Sequence, residues 1–260
     1  MTRGSRIPMA IAILVVLSFG TANAGTLQLT NWLAYGGGAS VSAKYWDGTT
    51  IRSQSGTYGV GNFAAKYDGV VVSSPLYCLD VFHTFSTIGQ VWNNITPQII
   101  PPDPANPPPW NTSEAAWAYD KYGDVGTDGV KAAGVQLALW EISHELSWRA
   151  NYSSAGWNAA KTGSGAGYSD FAASVALGSG MGQYATTILS DVYSHFTAGQ
   201  RLTYYNPQGA DLKRDYVGMQ GFVGDAEPTN FTDVPEPTGL ALLGFVLLTG
   251  AGLSWRKRSR

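Results

Sequence analysis

The most reactive side chain in this sequence is a single thiol. Cys78 is the only cysteine among 260 residues, and it lies at the end of an apolar run in which residues 77–80 are Tyr-Cys-Leu-Asp. A thiolate is a nucleophile, but one cysteine cannot form an internal disulfide. Residue type alone favours a buried cysteine that packs as a small hydrophobic side chain. Thiol chemistry at Cys78 therefore requires a reaction partner elsewhere in the chain.

A carboxamide is the second candidate group. Gln136 lies in the segment Gly-Val-Gln-Leu-Ala-Leu-Trp-Glu-Ile at 134–142, four residues before Trp140. Residues four apart share one face of a helix, so we expect these two side chains to lie together. A buried amide without partners costs about 1–3 kcal/mol, which makes a glutamine on an otherwise apolar face unusual. A core glutamine that hydrogen-bonds to backbone is the structural alternative.

The elements that must position these residues predict an α+β fold. Alternating residues and turn signals predict strands, in a sandwich or barrel-like arrangement, at 26–35, 40–46, 70–72, 76–85, 201–205 and 216–223. These strands flank a central helical section, for which helical spacing and caps predict helices at 114–122, 130–146 and 183–196. Thr112 or Ser113 is expected to cap the first of these helices. The proline-dense segment 97–109 is expected to be an irregular connector.

The N-terminus has the pattern of a secretory signal peptide over residues 1–24. Two arginines precede the apolar run 9–19, and Ala-Asn-Ala at 22–24 supplies the small-residue cleavage pattern. The apolar run is too short to span a membrane. We therefore expect the mature chain to begin at Gly25 and to lie outside the cytoplasm.

The C-terminal segment 234–260 combines a short motif, an apolar stretch and a basic tail. Residues 238–255 carry no charge, and they follow the motif formed by Val234, Pro235, Glu236 and Pro237. As a helix this stretch rises about 27 Å, close to the ~30 Å hydrocarbon thickness of a bilayer. The basic tail at 256–260 favours a cytoplasmic end. These features predict a single membrane helix at 238–255 and an exported globular domain at 25–230.

The order of motif, apolar helix and arginine-rich tail resembles the PEP-CTERM sorting signal of Gram-negative bacteria. The resemblance covers residues 234–260 and implies recognition by an exosortase-type processing enzyme near Pro235–Pro237. It implies an intermediate anchored in the inner membrane, followed by delivery to the cell surface or the extracellular matrix. It does not define what the exported domain does there.

Composition limits the partners of the exported domain. Charged residues make up 13% of the chain, about half the usual share, and glycine numbers 32. The net charge is −2, and no basic patch lies outside the terminal signals, which argues against nucleic acid as a partner. We expect no cofactor and no metal, because neither grouping of candidate ligands has a metal-site spacing: Glu141, His144 and Glu145 on one helix, or Asp120, Asp124 and Asp128 near a turn.

The contexts of Cys78 and Gln136 resemble the Cys–Gln thioester domains of bacterial surface proteins. In that family a cysteine after an aromatic residue is joined to the glutamine of a Thr-Gln-x-Ala-Ile-Trp helix. Here Cys78 matches the thiol and Gln136 the carboxamide, 136 − 78 = 58 residues later. Val135 replaces the family's usual threonine and Leu139 replaces isoleucine. The resemblance implies a thioester bond between the side chains of Cys78 and Gln136.

The implied role is covalent attachment to a partner surface or matrix component, without enzymatic turnover. The thiolate attacks the carboxamide and ammonia leaves; an amine or hydroxyl of a protein or extracellular polysaccharide then attacks the stored acyl group. The fold must supply orientation, donors for the oxyanion and exclusion of water. Candidate pocket residues are Tyr77, Trp117 and Trp140. His83 is a candidate base for the thiol, with an ordinary strand histidine as the alternative.

Two other functions compete with this interpretation. A cysteine hydrolase would pair Cys78 with one of three histidines, His83, His144 or His195. A non-covalent carbohydrate- or matrix-binding module, or a structural surface protein, is the stronger alternative. It would use aromatic side chains in loop-like contexts, where we expect exposure of Trp46, Trp92, Trp110 and Trp157.

Overall fold

The computed structural model describes residues 25–46, 49–79, 81, 88–95, 97–99, 111–161, 168–178, 180–199, 203–205 and 222–224. These residues form an α+β fold, as the sequence predicts, with antiparallel sheets and four helices, one more than the three that the sequence predicts. No helix within these ranges has the length and apolar character needed to cross a membrane. The segments predicted to be a signal peptide (1–24) and a sorting segment (234–260) lie outside the described residues, as do His83 and Trp110.

The described strands are β1 Gly25–Trp46, β2 Ile51–Tyr67, β3 Val70–Val71, β4 Tyr77–Cys78, β5 Val91–Ile95, β6 Gln98–Ile99, β7 Ser169–Ser174, β8 Thr203–Tyr205 and β9 Phe222–Gly224. The described helices are α1 Thr112–Tyr122, α2 Gly129–His144, α3 Trp148–Asn151 and α4 Gly180–His195. Most strands precede or follow the helices along the chain, whereas β7 lies between α3 and α4.

The long strand β1 is the centre of the larger sheet, whose order is β3-β2-β1-β5 with β7 also paired to β1. Its first residues pair with β5 and its last residues pair with β7. Alternate side chains are buried at both ends, as a strand with one face on the core requires. The buried set includes Leu27, Leu29, Val41, Ala43 and Tyr45. The smaller sheet has the order β4-β9-β8-β6, so β4 forms one of its edges.

A glycine bend in β1 brings the larger sheet against the start of α2. The register with β2 shifts between Tyr35 and Gly38, and Gly37 has φ +104°, a conformation that favours glycine. A Cβ on Gly36 would lie 2.3 Å from the carbonyl oxygen of Gly129. Only glycine at position 36 therefore permits this approach of strand and helix.

Helix α2 is the central element of the fold. Every residue of α2 from Ala132 to His144 is buried, and the helix packs against β1, β2, β7, α1 and α4. A helix that is buried all round must be apolar on most faces, which explains the weak amphipathic pattern of this segment. Gly134 allows α4 to approach closely, because a Cβ there would lie 2.8 Å from the Cβ of Tyr184. The polar side chains of α2 therefore need partners inside the core.

Several strand predictions are wrong in extent. The predicted strands 26–35 and 40–46 are one bent strand, β1, because the glycines between them bend the chain without ending the ladder. The strand predicted at 76–85 is described only as β4. Strand β2 was not predicted, since its polar, glycine-rich sequence lacks alternation of apolar residues.

The helix predictions hold to within a few residues, but the expected cap of α1 is wrong. Asn111 occupies the N-cap position with φ 47° and makes no side-chain cap hydrogen bond to α1. Its Nδ2 instead donates to the carbonyl oxygens of Ile142 and Glu145, both at 2.8 Å, at the C-terminal end of α2. At the other end of α2, Asp128 caps the helix by accepting from the backbone N–H of Lys131 at 3.0 Å.

Candidate functional site at Cys78 and Gln136

The structure places the side-chain amide of Gln136 directly against Cys78. Gln136 Oε1 accepts a hydrogen bond from the backbone N–H of Cys78 at 2.9 Å. Gln136 Nε2 donates to the backbone carbonyl of the same residue. Two residues 58 positions apart, one on α2 and one on β4, are thereby brought together in the core. Both are buried, with Gln136 1% exposed and Cys78 3% exposed.

The edge position of β4 explains this arrangement. On one side β4 pairs with β9, with Cys78 opposite Phe222. Backbone groups of a buried strand edge need other partners, because unpaired buried N–H and C=O groups are costly. The carboxamide of Gln136 carries one acceptor and one donor, as a peptide group does. Gln136 therefore takes the place of a neighbouring strand at Cys78.

Two further side chains of α2 continue this pairing along the chain after Cys78. Ser143 Oγ donates to the carbonyl of Leu79 at 3.3 Å, and His144 Nε2 accepts from the backbone N–H of Val81 at 3.2 Å. His144 Nδ1 lies 3.2 Å from the carbonyl oxygen of Trp140. One face of α2 thus binds backbone groups of residues 78, 79 and 81.

Sequence analysis identified Gln136 on this face but missed Ser143 and His144 as its neighbours. The signal was present, since positions 136, 143 and 144 are seven and eight residues apart and share one helix face. Three polar residues on one face of a helix that is otherwise apolar indicate a buried polar partner. The backbone of a strand edge is that partner here.

The two hydrogen bonds at Gln136 hold its carboxamide beside the residue that carries the thiol. The carboxamide oxygen accepts the N–H of Cys78, which is the type of donor that stabilises an oxyanion. Burial of both residues excludes bulk water from the acyl carbon. The same two hydrogen bonds satisfy Gln136 as a core amide, so it supports the fold as well.

The three aromatic pocket candidates are all buried, in different surroundings. Tyr77 precedes Cys78 in β4, and its hydroxyl donates to Gly123 O at 2.8 Å and accepts from Asn62 Nδ2 at 3.1 Å. Burial raises the pKa of the Tyr77 hydroxyl well above its ordinary value, so it stays a neutral donor. Successive residues of a strand point to opposite faces, which directs Tyr77 away from the Cys78 side chain.

The two tryptophan candidates lie on the helices. Trp140 is 1% exposed and packs against the rings of Tyr58 and Phe171, with centroid distances of 6.4 and 6.2 Å. Trp117 lies on α1 with the ammonium of Lys121 4.8 Å from its ring centroid. Both contribute to the core around the site, and their role in shielding a thioester stays a prediction.

The remaining histidines have partners of their own. His144 is engaged by Val81, as described above, and His195 lies at the exposed end of α4 with its Nδ1 2.8 Å from Asp191 Oδ1. His83 lies outside the described residues, so its role as a base for the thiol stays a prediction.

The acidic residues weighed as metal ligands have other roles in the structure. Asp124 accepts from the backbone N–H of Gly126 in a turn, and Asp128 caps α2. Glu141 and Glu145 face the ammonium of Lys161. Within the described ranges, no group of three His, Cys, Asp or Glu side chains is arranged to hold a metal ion.

The expected exposure of two tryptophans is wrong. Trp92 is 2% exposed, because it lies in β5 opposite Leu27 of β1. Trp157 is fully buried, and its Nε1 donates to Thr186 Oγ1 at 2.9 Å. Trp46 ends β1 and is half-buried. A loop-like sequence context did not reveal that these side chains fill the core.

Comparison with known proteins yields no relative: no protein-family model, no curated protein and no solved structure matches this chain.

Proposed function

We propose that this chain is an exported surface or matrix protein whose Cys78 and Gln136 side chains form an internal thioester for covalent attachment to a partner. The observation that carries the proposal is the pair of hydrogen bonds between the Gln136 carboxamide and the backbone of Cys78. Both hydrogen bonds join the carboxamide of Gln136 directly to Cys78. The chain modifies itself once, and no catalytic turnover follows.

The proposed bond formation is balanced without any further reagent. The Cys78 thiol loses its proton, and the sulfur attacks Cδ of Gln136. The tetrahedral oxyanion at Oε1 is stabilised by the N–H of Cys78. Nε2 takes up the proton and leaves as ammonia, and a C–S bond replaces the C–N bond. The Oε1 hydrogen bond survives in the product, whereas the Nε2 hydrogen bond to the Cys78 carbonyl is lost.

The thioester then stores an acyl group that reacts with a stronger nucleophile. A lysine amine or a hydroxyl of an extracellular protein or polysaccharide attacks the Gln136 carbonyl carbon, forms an amide or ester and releases the Cys78 thiol. Because both residues are buried, attack requires local opening of the chain around β4. Small amines should therefore react faster than bulky ones.

The terminal segments supply the proposed route to the surface. The signal peptide at 1–24 directs export, and the apolar stretch at 238–255 anchors an intermediate in the inner membrane with the domain outside. An exosortase-type enzyme then recognises Val234, Pro235, Glu236 and Pro237. These segments lie outside the described residues, and their sequence pattern alone supports this route.

Methylamine labelling of the purified full chain tests the proposal. Methylamine attacks a thioester and becomes part of Gln136, which is recovered in the tryptic peptide 132–149, and it frees the Cys78 thiol for alkylation. We expect one methylamine at Gln136 in the wild type and none in Cys78→Ala. Gln183, an exposed glutamine on α4, is the internal control and should stay unlabelled. Wild-type protein that takes up no methylamine at Gln136 contradicts the proposal.

We also propose that the two sheets form a sandwich-like arrangement around α2. Both sheets contribute side chains to one hydrophobic cluster, including Leu27 and Ala43 from the larger sheet and Tyr77 from the smaller. The rings of Tyr67 and Tyr205, one from each sheet, lie 5.9 Å apart.

A second candidate function is non-covalent binding of carbohydrate, favoured by one surface feature. Tyr35 is 54% exposed, and its ring lies 4.7 Å from the ring of half-buried Trp32. Exposed apolar surface of this kind marks interaction sites. An open groove of about 430 Å³ elsewhere on the larger sheet is lined by hydroxyl groups, among them Ser40, Ser42 and Thr57.

Binding of soluble polysaccharide by two variants separates this function from covalent attachment. A carbohydrate module should keep its affinity in Cys78→Ala and lose it in Tyr35→Ala. Covalent attachment predicts the reverse, because only Cys78→Ala removes the thiol and prevents the thioester from forming.

A further inference from the structure

A second group of reactive side chains lies at the C-terminal end of α2, away from Cys78. Glu141 and Glu145 are both fully buried, one turn of helix apart. The ammonium of Lys161 contacts Glu145 Oε2 and lies 3.6 Å from Glu141 Oε1. The Lys161 side chain is itself 23% exposed. One amine therefore meets two carboxyl groups inside the core.

Lys161 and Glu145 are held in place by hydrogen bonds to their backbone groups. The N–H of Lys161 donates to Asp170 Oδ1 at 3.1 Å, and its carbonyl accepts from the hydroxyl of Tyr168 at 3.0 Å. The carbonyl of Glu145 accepts from Asn111 Nδ2 at 2.8 Å. Fixed orientation of this kind converts a slow bimolecular reaction into a fast intramolecular one.

The carboxyl groups have more acceptor atoms than the described residues supply donors. Both oxygens of Glu141 and Oε1 of Glu145 are buried without a hydrogen-bond partner in the described part of the chain. Burial, and then the charge of Glu145, raises the pKa of Glu141 well above its usual range. The raised pKa favours the protonated form of Glu141, which lies beside the contact between the Lys161 amine and the Glu145 carboxyl group.

We propose that Lys161 and Glu145 condense to an amide crosslink between Nζ and Cδ, with Glu141 as the acid–base group. The crosslink joins the C-terminal end of α2 to the segment that leads into β7. It is independent of the thioester, because it uses neither Cys78 nor Gln136.

The condensation is balanced by the release of one water. The proton of the Lys161 ammonium passes to the Glu145 carboxylate that it contacts. The neutral amine attacks Cδ of Glu145 to form a tetrahedral intermediate. Glu141 donates a proton to the departing hydroxyl and accepts one from the amine nitrogen. A C–N bond replaces a C–O bond, and Glu141 returns to its starting form.

The product also resolves the hydrogen-bond deficit at Glu141. An ion pair between Lys161 and Glu145 leaves both oxygens of Glu141 without a hydrogen-bond donor among the described residues. An amide at the same place presents an N–H donor and a carbonyl acceptor to a protonated carboxyl group. A neutral amide beside a neutral acid carries no buried charge.

Tryptic peptide mapping of the full chain tests the crosslink. Without it, digestion yields the separate peptides 132–149, 150–161 and 162–201. With it, trypsin cannot cleave after Lys161, and 132–149 is recovered joined to 150–201 with the mass of one water missing. We expect the joined species in folded wild-type protein. Recovery of the three linear peptides alone from folded wild-type protein would overturn the proposal.

Two variants define the roles of the residues. Lys161→Arg keeps the positive charge and should abolish the joined species. Glu141→Gln keeps the size of the side chain and should slow its formation by about 10²- to 10⁴-fold, the usual contribution of general acid–base catalysis. A joined species that forms in Glu141→Gln at the wild-type rate would overturn the role of Glu141.

The same digest separates this crosslink from the proposed thioester. Cys78→Ala should retain the joined species 132–149 with 150–201 while losing methylamine uptake at Gln136. Lys161→Arg should show the opposite pattern. Loss of both signals in Cys78→Ala would contradict independence of the two sites.

Discussion

Two regions of α2, its middle at Gln136 and its C-terminal end at Glu141, bury polar side chains in opposite ways. Near its middle, Gln136 has donor and acceptor both satisfied by the backbone of Cys78. Near its C-terminal end, Glu141 has two buried oxygens that no described donor meets. Both side chains are almost fully buried, so exposure does not distinguish them. The difference lies in whether another element supplies complementary groups.

This difference shows how a buried polar residue can be ready for chemistry for two reasons. Gln136 is oriented by satisfied hydrogen bonds, so its reactivity would come from position. The pKa of Glu141 is raised by burial and then by the charge of Glu145, so its reactivity would come from that shift. The first arrangement stabilises the fold, whereas the second costs free energy until a proton or a covalent bond changes it.

The largest loss of stability should come from removing Lys161, the cation that faces both buried carboxyl groups. Lys161→Met leaves Glu141 and Glu145 without a counter-charge, and loss of one partner of a buried pair typically costs about 3–5 kcal/mol. Urea unfolding at neutral pH measures this loss. The matched control is Lys131→Met, which removes an exposed pair with Asp128 and should change stability by at most ~1 kcal/mol. Equal effects of the two variants would show that the carboxyl end behaves as ordinary surface.

A smaller loss of stability is expected from a change at Gln136, whose carboxamide is hydrogen-bonded to Cys78. Gln136→Leu leaves the N–H and carbonyl of Cys78 without their side-chain partner, and an unsatisfied buried group costs about 1–3 kcal/mol. Gln183→Leu, on the exposed face of α4, is the control and should lie within about 0.5 kcal/mol of wild type. If Gln136→Leu matches its control, the amide does not hold β4 against α2.

Fold prediction from this sequence succeeded where the spacing of residues within one helix decided the structure. Helix α2 and its glutamine face were predictable because spacing within one helix determines which side chains lie together. Strand β2 was not, because its register with β1 depends on pairing across the chain and its polar residues show no period of two.

The site was predictable only in part, for the same reason. The pairing of Cys78 with Gln136 followed from a resemblance of short motifs, and the structure brings the two residues together. The contact of Lys161 with Glu145 had no motif, since a lysine near a glycine-rich segment gives no sign of facing a helix. Side-chain burial at Trp92 and Trp157 likewise depended on distant strands and helices.

The pH dependence of stability should distinguish the Glu141 region from the Gln136 region without a substitution at either. The pKa of Glu141 is raised in the folded state above its unfolded value of 4.5. Between those two values the folded protein binds more protons than the unfolded chain, so stability falls as pH rises above about 4.5. Urea unfolding across this range should show the decline in wild type and a flatter profile in Glu141→Gln. A wild-type stability that rises through this range would contradict the raised pKa.

The smallest loss of stability should come from a change at the N-terminus of α2, which lies outside both regions compared above. Asp128→Ala removes the side-chain cap of the Lys131 N–H and should lower stability by less than Gln136→Leu does. It should leave methylamine uptake at Gln136 and the joined peptides unchanged. Thermal unfolding and the tryptic digest together measure both. Loss of either covalent signal in this variant would show that general loosening of α2 controls the two sites.

The most direct test of the account is the intact mass of the full chain compared with that of Cys78→Ala. Signal processing and any crosslink at Lys161 contribute equally to both proteins, so they cancel in the difference. The account predicts that the wild type is lighter than expected from the substitution by one ammonia, and that methylamine treatment restores mass to the wild type only. Masses that differ by one sulfur atom alone would contradict a thioester between Cys78 and Gln136.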